Sequence, residues 1–547
     1  MPKIEQTSNG DQVDLRQLLS RISERKHQNS IITFEKGAVV RRTHADVYAD
    51  VVTACERLNG WGVRAGMRVG ILACNCYEWI IYDVALLELR ALSVAFTDDF
   101  SSMSPDELIE KYSLSLLLVQ GSNEAHRQSR HSRAIAWFDG KESPVSAIER
   151  ELPPADREFQ DTGMVFSSGS SGRLKGLKLN RMGIEASVDA FTQVAGPLPD
   201  DCLLLFLPIS NFQQRLMYYS ALWYGFDLIV TDPTRLFRAL KELHPSILIA
   251  PPMLYEAFET RFSNLPLWKQ RTARIMGRLI RIVPARTVRQ KLARLLFKDA
   301  YEALGGRMRF MVTGMAPIKR STLELFSLMQ LPLFETYGIT EFGGVALNSP
   351  GANRPGSVGK LLPGVRVELA PDGEVIAVRK YRIASTYFEC AEGEAESTFV
   401  DHDRVATGDI GRFDKDGYLY LIGRKREMIV TSGGTKIHPE IPEKEIEACL
   451  DVARAVVFAD PDTAALVTVV LPKNPADKNA KARIQQFIDE MNENRASFAV
   501  RRIIFTDVVF SRENGLLRPN LKLDRNRIAQ HFQIATANTA TAVARTA

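Results

Sequence analysis

At 547 residues the chain is too long for one ordinary domain and predicts three or four structural units. Its 45% hydrophobic and 25% charged residues describe a globular protein with a substantial core, and a net charge of +5 excludes wholesale nucleic-acid binding. Six scattered cysteines without zinc-type spacing, a polar 1–14 segment and no apolar run near the roughly 18 residues of a spanning helix point to a soluble, cytoplasmic protein with reduced thiols.

In chain order, a helix is predicted near Asp14, with Leu15, Leu18, Leu19 and Ile22 on one face. Residues 69–73 form a short apolar run that reads as a buried strand, 78–89 fit a helix, and 91–96 a second strand. Strand, helix, strand at this spacing predicts a parallel α/β unit, and 116–119 and 134–138 repeat the theme. The apolar Met164-Val165 then runs into Phe166-Ser167-Ser168-Gly169-Ser170-Ser171-Gly172-Arg173-Leu174-Lys175-Gly176. Glycines permit sharp bends and close backbone approach, hydroxyls and N–H groups can donate to phosphate oxygens, and Lys175 adds positive charge. The spacing is not that of a Walker loop, and a flexible Ser/Gly linker has the same composition.

Strands are expected at 203–207, ending at Pro208, and at 247–250, ending at Pro251. From Arg261 to Arg309 the chain carries thirteen Lys or Arg against only Asp299 and Glu302. Ile275, Leu279, Leu292, Leu295 and Leu296 are interleaved at helical spacing. Two readings stand: helices with a solvated cationic face, or a docking surface for an anionic partner. Between 356 and 420 the texture becomes short strands and tight turns, with Pro371-Asp372-Gly373 and Lys415-Asp416-Gly417 as hairpin signals. A further α/β segment spans 427–532, and 535–547 is an Ala/Thr-rich tail expected to be flexible.

Four more stretches join the glycine-rich loop. Met311-Val312-Thr313-Gly314-Met315-Ala316-Pro317 is a strand running into a tight turn. Glu335-Thr336-Tyr337-Gly338-Ile339-Thr340-Glu341 groups an aromatic, a hydroxyl and a carboxylate. Thr407-Gly408-Asp409 and Gly423-Arg424-Lys425-Arg426-Glu427 flank a hairpin, and Leu517-Arg518-Pro519-Asn520-Leu521-Lys522-Leu523-Asp524-Arg525 comes last. Together, in this order, they resemble the adenylate-forming superfamily of acyl-CoA synthetases, adenylation domains and luciferases. Leu304-Gly305-Gly306-Arg307-Met308-Arg309-Phe310 and the Lys522-Leu523-Asp524-Arg525 ending are most similar to the long-chain acyl-CoA synthetase branch.

The resemblance implies an α/β fold: a large N-terminal domain of α/β subdomains with a β-rich subdomain (1–425), and a small mobile α+β C-terminal domain (426–534). It implies a two-step reaction, in which a carboxylate attacks the α-phosphate of ATP to give an acyl-adenylate and pyrophosphate, and a thiol then displaces AMP. By similarity Ser167, Ser168, Gly169, Ser170, Ser171, Gly172 and Lys175 surround the β- and γ-phosphates. Thr340 binds the α-phosphate and Glu341 ligates Mg2+, a hard cation preferring oxygen. Tyr337, with Gly338 beside it, stacks on adenine opposite Gly314, Ala316 and Pro317; Asp409 accepts the ribose hydroxyls, assisted by Arg424. Lys522 bridges the α-phosphate and the substrate carboxylate in the first step. Rotation about a hinge at Arg426 then brings Gly433 and Gly434 to line the pantetheine tunnel.

The chain departs from the pattern at Leu174, where proline is usual, and at Asn211, where many relatives carry histidine. Asn211 and Met315 are assigned to the acyl pocket. An α-amino acid would need a buried carboxylate for its ammonium, and 206–213 holds none, so a neutral acyl chain of medium or long length is favoured, with an aryl acid as the other option. The acceptor thiol is that of CoA or of a carrier-protein phosphopantetheine, and an amine acceptor is the alternative class. The basic 261–309 segment suits an acidic carrier or an anionic membrane surface.

Overall fold

A computed structural model describes residues 12–25, 29–97, 100–121, 124–138, 145–150, 161–168, 174–430, 436–460, 465–493, 499–511, 513–517 and 523–534. Two large sheets organise those up to residue 430. The seven-stranded sheet runs, from edge to edge, Ala384–Tyr387, Leu174–Asn180, Asp161–Ser168, Leu92–Phe96, Arg68–Leu72, Leu116–Val119 and Ile135–Trp137. Its parallel half contains the four early strands expected from the apolar runs. Leu116–Val119 is buried along its whole length, as parallel strands covered on both faces must be.

The nine-stranded sheet has Phe310–Thr313 between Ile247–Ala250 and Leu333–Ile339, all parallel. Cys202–Leu205 and Asp227–Val230 continue it, and Ser30–Glu35 pairs parallel with Asp227–Val230 across nearly 200 residues of sequence. Helices Tyr77–Glu88, Arg181–Ala195 and Phe212–Tyr224 lie in the apolar core shared by the two sheets. There Arg215 pairs with Asp83 at 2.5 Å and donates to Ser93 Oγ at 2.8 Å, while Tyr219 donates to the same carboxylate at 2.6 Å. The cation is thus buried with its counter-charge, as burial requires.

Both hairpin signals hold. Gly373 and Gly417 have φ of 83° and 79°, a left-handed backbone that glycine adopts without a Cβ clash. They turn the four-stranded sheet Arg366–Leu369, Glu374–Val378, Arg404–Phe413 and Leu419–Arg424. The strand Ala384–Tyr387 leaves that neighbourhood and pairs antiparallel with Leu174–Asn180, Tyr387 opposite Leu177. Beyond residue 436, Val452–Ala459, Leu466–Pro472 and Val500–Phe505 form a three-stranded sheet whose cores, around Ile446 and Val457 on one side and Val456 and Ile528 on the other, draw on that stretch and the adjacent Ile429. It touches the larger part where Lys319 Nζ donates to the Ala453 carbonyl at 2.7 Å. Among the described residues no helix is long and apolar enough to cross a membrane.

Candidate active site

The glycine-rich stretch sits at the tip of a hairpin. Strands Asp161–Ser168 and Leu174–Asn180 are antiparallel, with Ser167 opposite Lys175 and Ser168 opposite Leu174, so the intervening residues form the connection. Gly169, Ser170, Ser171 and Gly172 lie outside the described residues, as does the side chain of Ser168. Among the described residues the buried Ser167 hydroxyl has no hydrogen-bond partner, a donor without an acceptor where the described strand ends.

Lys175 is buried, and its ammonium pairs with the Glu394 carboxylate while lying 5.1 Å from the centroid of the Tyr387 ring. Burial works against the Glu394 carboxylate, but the Lys175 hydrogen bond and charge outweigh it and hold its pKa below the ordinary value. The Tyr387 hydroxyl in turn donates to Glu341 Oε1 at 3.0 Å. Burial, then the Glu341 charge, push this phenol far up, so it remains a neutral donor. One tyrosine therefore ties the glycine-rich hairpin of one sheet to the Thr340-Glu341 turn that leaves the other. Thr340 and Glu341 themselves are half-buried.

That turn follows Leu333–Ile339, whose neighbour Phe310–Thr313 ends at Gly314. A Cβ on Gly314 would lie 2.7 Å from Thr336 Cγ2 and 3.2 Å from the Thr336 carbonyl oxygen, so only glycine lets the two strand ends come this close. Met315 follows with φ of 70°, and Met315, Ala316 and Pro317 are exposed, forming a lip beside the strand end. A Cβ at Gly338 would likewise meet the Gly343 carbonyl oxygen at 2.5 Å. Tyr337 is buried, and its hydroxyl donates to Asp409 Oδ2 at 2.6 Å. Arg424 Nε holds the other oxygen, Oδ1, at 2.6 Å. Burial first and the Asp409 charge second push the Tyr337 phenol far up. Burial tends to lower the Arg424 pKa, but Asp409 more than offsets it. Asp409 is a buried carboxylate with a cation and a phenol on its two oxygens.

Glu335, at the start of the same strand, is pushed up to about 7 by burial, with the Gly356 N–H donating to its Oε2 at 2.8 Å as the opposing influence. Asn211 is half-buried at the start of the Phe212–Tyr224 helix, where its side chain makes no capping bond. The loop before it is pinned by Asn75, which donates to the carbonyls of Leu207 and Thr231, each at 2.8 Å, and accepts from the Ile209 N–H at 2.8 Å.

At the junction to the C-terminal part, Lys425 Nζ bridges Asp372 at 2.7 Å and Glu374 at 2.6 Å, and Arg426 is exposed next to it. Glu427 meets Arg525 Nε at 3.1 Å, and the same guanidinium holds Glu443 through two bonds of 2.7 and 2.8 Å. Lys522 lies outside the described residues; Leu517 and Leu523, on either side of it in the chain, form an isolated antiparallel bridge. Gly433 and Gly434 also lie outside them. Four residues escaped the sequence reading: Tyr387, Glu394, Glu374 and Asn75. Each is a lone polar residue whose partner is remote in the chain, so no local spacing marks it.

The sequence pattern described as AMP-binding enzyme matches residues 20–387. The long-chain-fatty-acid–CoA ligase FadD15 of Mycobacterium bovis is 27% identical over 551 residues, covering 90% of each chain. The amide bond synthetase McbA of Marinactinospora thermotolerans has a similar fold, with a TM-score of 0.72 at 19% identity over 95% of this chain and 100% of that one. So has the o-succinylbenzoate coenzyme A synthetase of Bacillus subtilis in complex with ATP and magnesium, with a TM-score of 0.71 at 19% identity over 94% and 98% of the two chains.

Proposed function

The chain belongs to the family of AMP-binding enzymes, and on that basis we propose that it is a cytoplasmic acid–thiol ligase: it converts a carboxylic acid, a long-chain fatty acid, to its acyl-adenylate with ATP and passes the acyl group to the thiol of coenzyme A. The acid and the acceptor rest on the curated relative, a long-chain-fatty-acid–CoA ligase matched along 90% of both chains. The observation that carries the site is the Lys175–Tyr387–Glu341 linkage, which joins a cation beside a serine-rich hairpin to a carboxylate of the opposite sheet.

The donor set fits a nucleoside triphosphate with Mg2+. The Ser167 hydroxyl, which has no partner among the described residues, and the Lys175 ammonium can donate hydrogen bonds to phosphate oxygens; Glu341 can offer oxygen to a hard cation. When bound, Mg2+ supplies positive charge at the phosphate oxygens. A free carboxylate is a poor acyl donor because its leaving group would be oxide, and adenylation requires two anions to meet. The chain's part is to hold that charge. Lys175 and the 167–172 loop take the outer phosphates, Thr340 the α-phosphate, and Lys522 neutralises the α-phosphate and the attacking carboxylate together. Tyr337, Gly338, Gly314, Ala316 and Pro317 enclose the base, and Asp409 with Arg424 meets the ribose.

The thiol step uses the same site after residues 426–534 rotate about Arg426, withdrawing Lys522 and presenting Gly433 and Gly434 to the thiol arm. The separate apolar cores beyond residue 436 support that division from 1–425, with 535–547 as a flexible tail. Asn211 and Met315 face the acyl group in this scheme. ATP–pyrophosphate exchange over a panel of acids tests the reading. Exchange is expected with long-chain acids, and thioester on adding CoA. No exchange with any acid refutes adenylation; thioester formed only on a holo-carrier protein refutes the acceptor.

A further inference from the structure

Helices Leu267–Ile282 and Arg286–Leu296 carry their apolar stripes on the side away from the protein. Trp268, Ile275, Leu279 and Ile282 recur at steps of seven, four and three, which sets them on one helical face. That face is exposed, from 55% at Leu279 to 66% at Trp268 and 76% at Ile282. The face toward the protein buries only Gly277 and Ile280, and a Cβ on Gly277 would lie 2.6 Å from the Leu328 side chain. In the second helix Val288, Leu292 and Leu295 repeat the pattern at steps of four and three, with Leu295 77% exposed and only Ala293 buried. Between the helices Met276, Leu279, Ile280, Val283, Leu292 and Leu295 line an open apolar groove of about 490 Å³.

Cations flank this stripe. Arg271, Arg274, Arg278 and Arg281 advance at steps of three, four and three along one side of the first helix, all exposed and none in an ion pair among the described residues. From 260 to 298 the chain has eleven Lys or Arg and no Asp or Glu. The expectation of helices with a merely solvated cationic face therefore accounts for half of the surface. It leaves a tryptophan, two isoleucines and several leucines in water, an apolar patch of a kind that marks an interaction site. An acidic protein would match the arginines but would need a preformed pocket for each of the protruding apolar side chains. A bilayer with anionic headgroups takes both, the apolar side chains entering the acyl region and the arginines reaching lipid phosphates.

We propose that this helix pair is a monotopic membrane anchor, seated on an anionic lipid bilayer with the Trp268-to-Ile282 stripe inserted. The inference rests on the helix pair alone and not on the acid that the enzyme activates. Co-sedimentation of the full-length protein with vesicles tests it without substrate, so its outcome is separate from that of the exchange assay. Vesicles of equimolar phosphatidylcholine and phosphatidylglycerol are expected to bind the protein roughly tenfold more strongly than phosphatidylcholine alone, and to release it as salt is raised. The double variant Leu279→Glu/Ile282→Glu changes exposed positions only; it is expected to stay in the supernatant while keeping ATP–pyrophosphate exchange. Arg274→Gln/Arg281→Gln is expected to bind more weakly with a flatter salt dependence. Wild-type protein that ignores anionic vesicles, or a Leu279→Glu/Ile282→Glu variant that pellets like wild type, overturns the proposal. So does a lipid-free dimer that the same two glutamates split, because the stripe would then belong to a second copy.

Discussion

Replacing Asp409 with Asn isolates the charge at the centre of the proposed ribose site. The carboxylate holds Arg424 Nε on Oδ1 and the Tyr337 hydroxyl on Oδ2, both at 2.6 Å. An asparagine of the same size must turn its oxygen to Arg424, because a guanidinium cannot accept a hydrogen bond. Its amide then faces Tyr337, whose hydroxyl can rotate to accept. The packing survives and only the charge is lost. A hydrogen bond to a charged group contributes about 1.5–3 kcal/mol. Because the Arg424 side chain is 41% exposed, solvent screening trims this to about 1–2 kcal/mol. At 1.4 kcal/mol per factor of ten, nucleotide affinity should weaken roughly 5–30-fold. Tyr337→Phe removes one neutral donor and should weaken it less, and the two changes together should cost less than their sum, since they share one carboxylate. Equilibrium binding of ATP by calorimetry, with circular dichroism to check folding, measures all three. A folded Asp409→Asn protein that binds ATP as tightly as wild type would refute the placement of this carboxylate in the nucleotide site.

With Lys175 assigned to the outer phosphates in the proposed scheme, its ion pair with Glu394 is a competing contact, so Glu394→Gln should lower the KM for ATP several-fold in pyrophosphate exchange; a raised KM would show that Glu394 orients the lysine instead. Glu335 is raised from its ordinary 4.5 to about 7 by burial. Between those values the unfolded chain has released this proton and the folded chain still holds it, so stability falls as pH rises through the window. Glu335→Gln should therefore gain on wild type from pH 5 to pH 7 by on the order of 2–3 kcal/mol, read from urea midpoints; a constant difference would contradict the assignment. Lys522→Ala should slow adenylation by roughly 10²–10³-fold, the scale for one electrostatic stabiliser, yet still convert a supplied acyl-adenylate with CoA. Equal loss in both half-reactions counts against the hinge.

Local elements were legible wherever local chemistry decides them. The apolar runs at 69–73 and 247–250 became the buried parallel strands Arg68–Leu72 and Ile247–Ala250, since a strand covered on both faces has no polar side to show. The Asp-Gly turns fell where a positive φ demands glycine. The helix expected near Asp14 begins there, capped by the Asp14 carboxylate. The direction of the stripe at 267–296 was not legible: periodicity shows that apolar residues share a face, and says nothing about whether that face meets protein or water. The pairing of Ser30–Glu35 with Asp227–Val230 was also unreadable, for its partners are separated by nearly 200 residues.

The order of the five motifs was enough to indicate the family, because each motif is a short local run whose residue types can be read without the fold. What folding alone decided is who stands beside whom: Tyr387 between Lys175 and Glu341, Glu394 on the lysine that phosphate would claim, and the Tyr337–Asp409–Arg424 cluster. Such contacts join residues far apart in the chain, and their strength comes from burial, a property of the packed chain that no stretch of sequence possesses by itself.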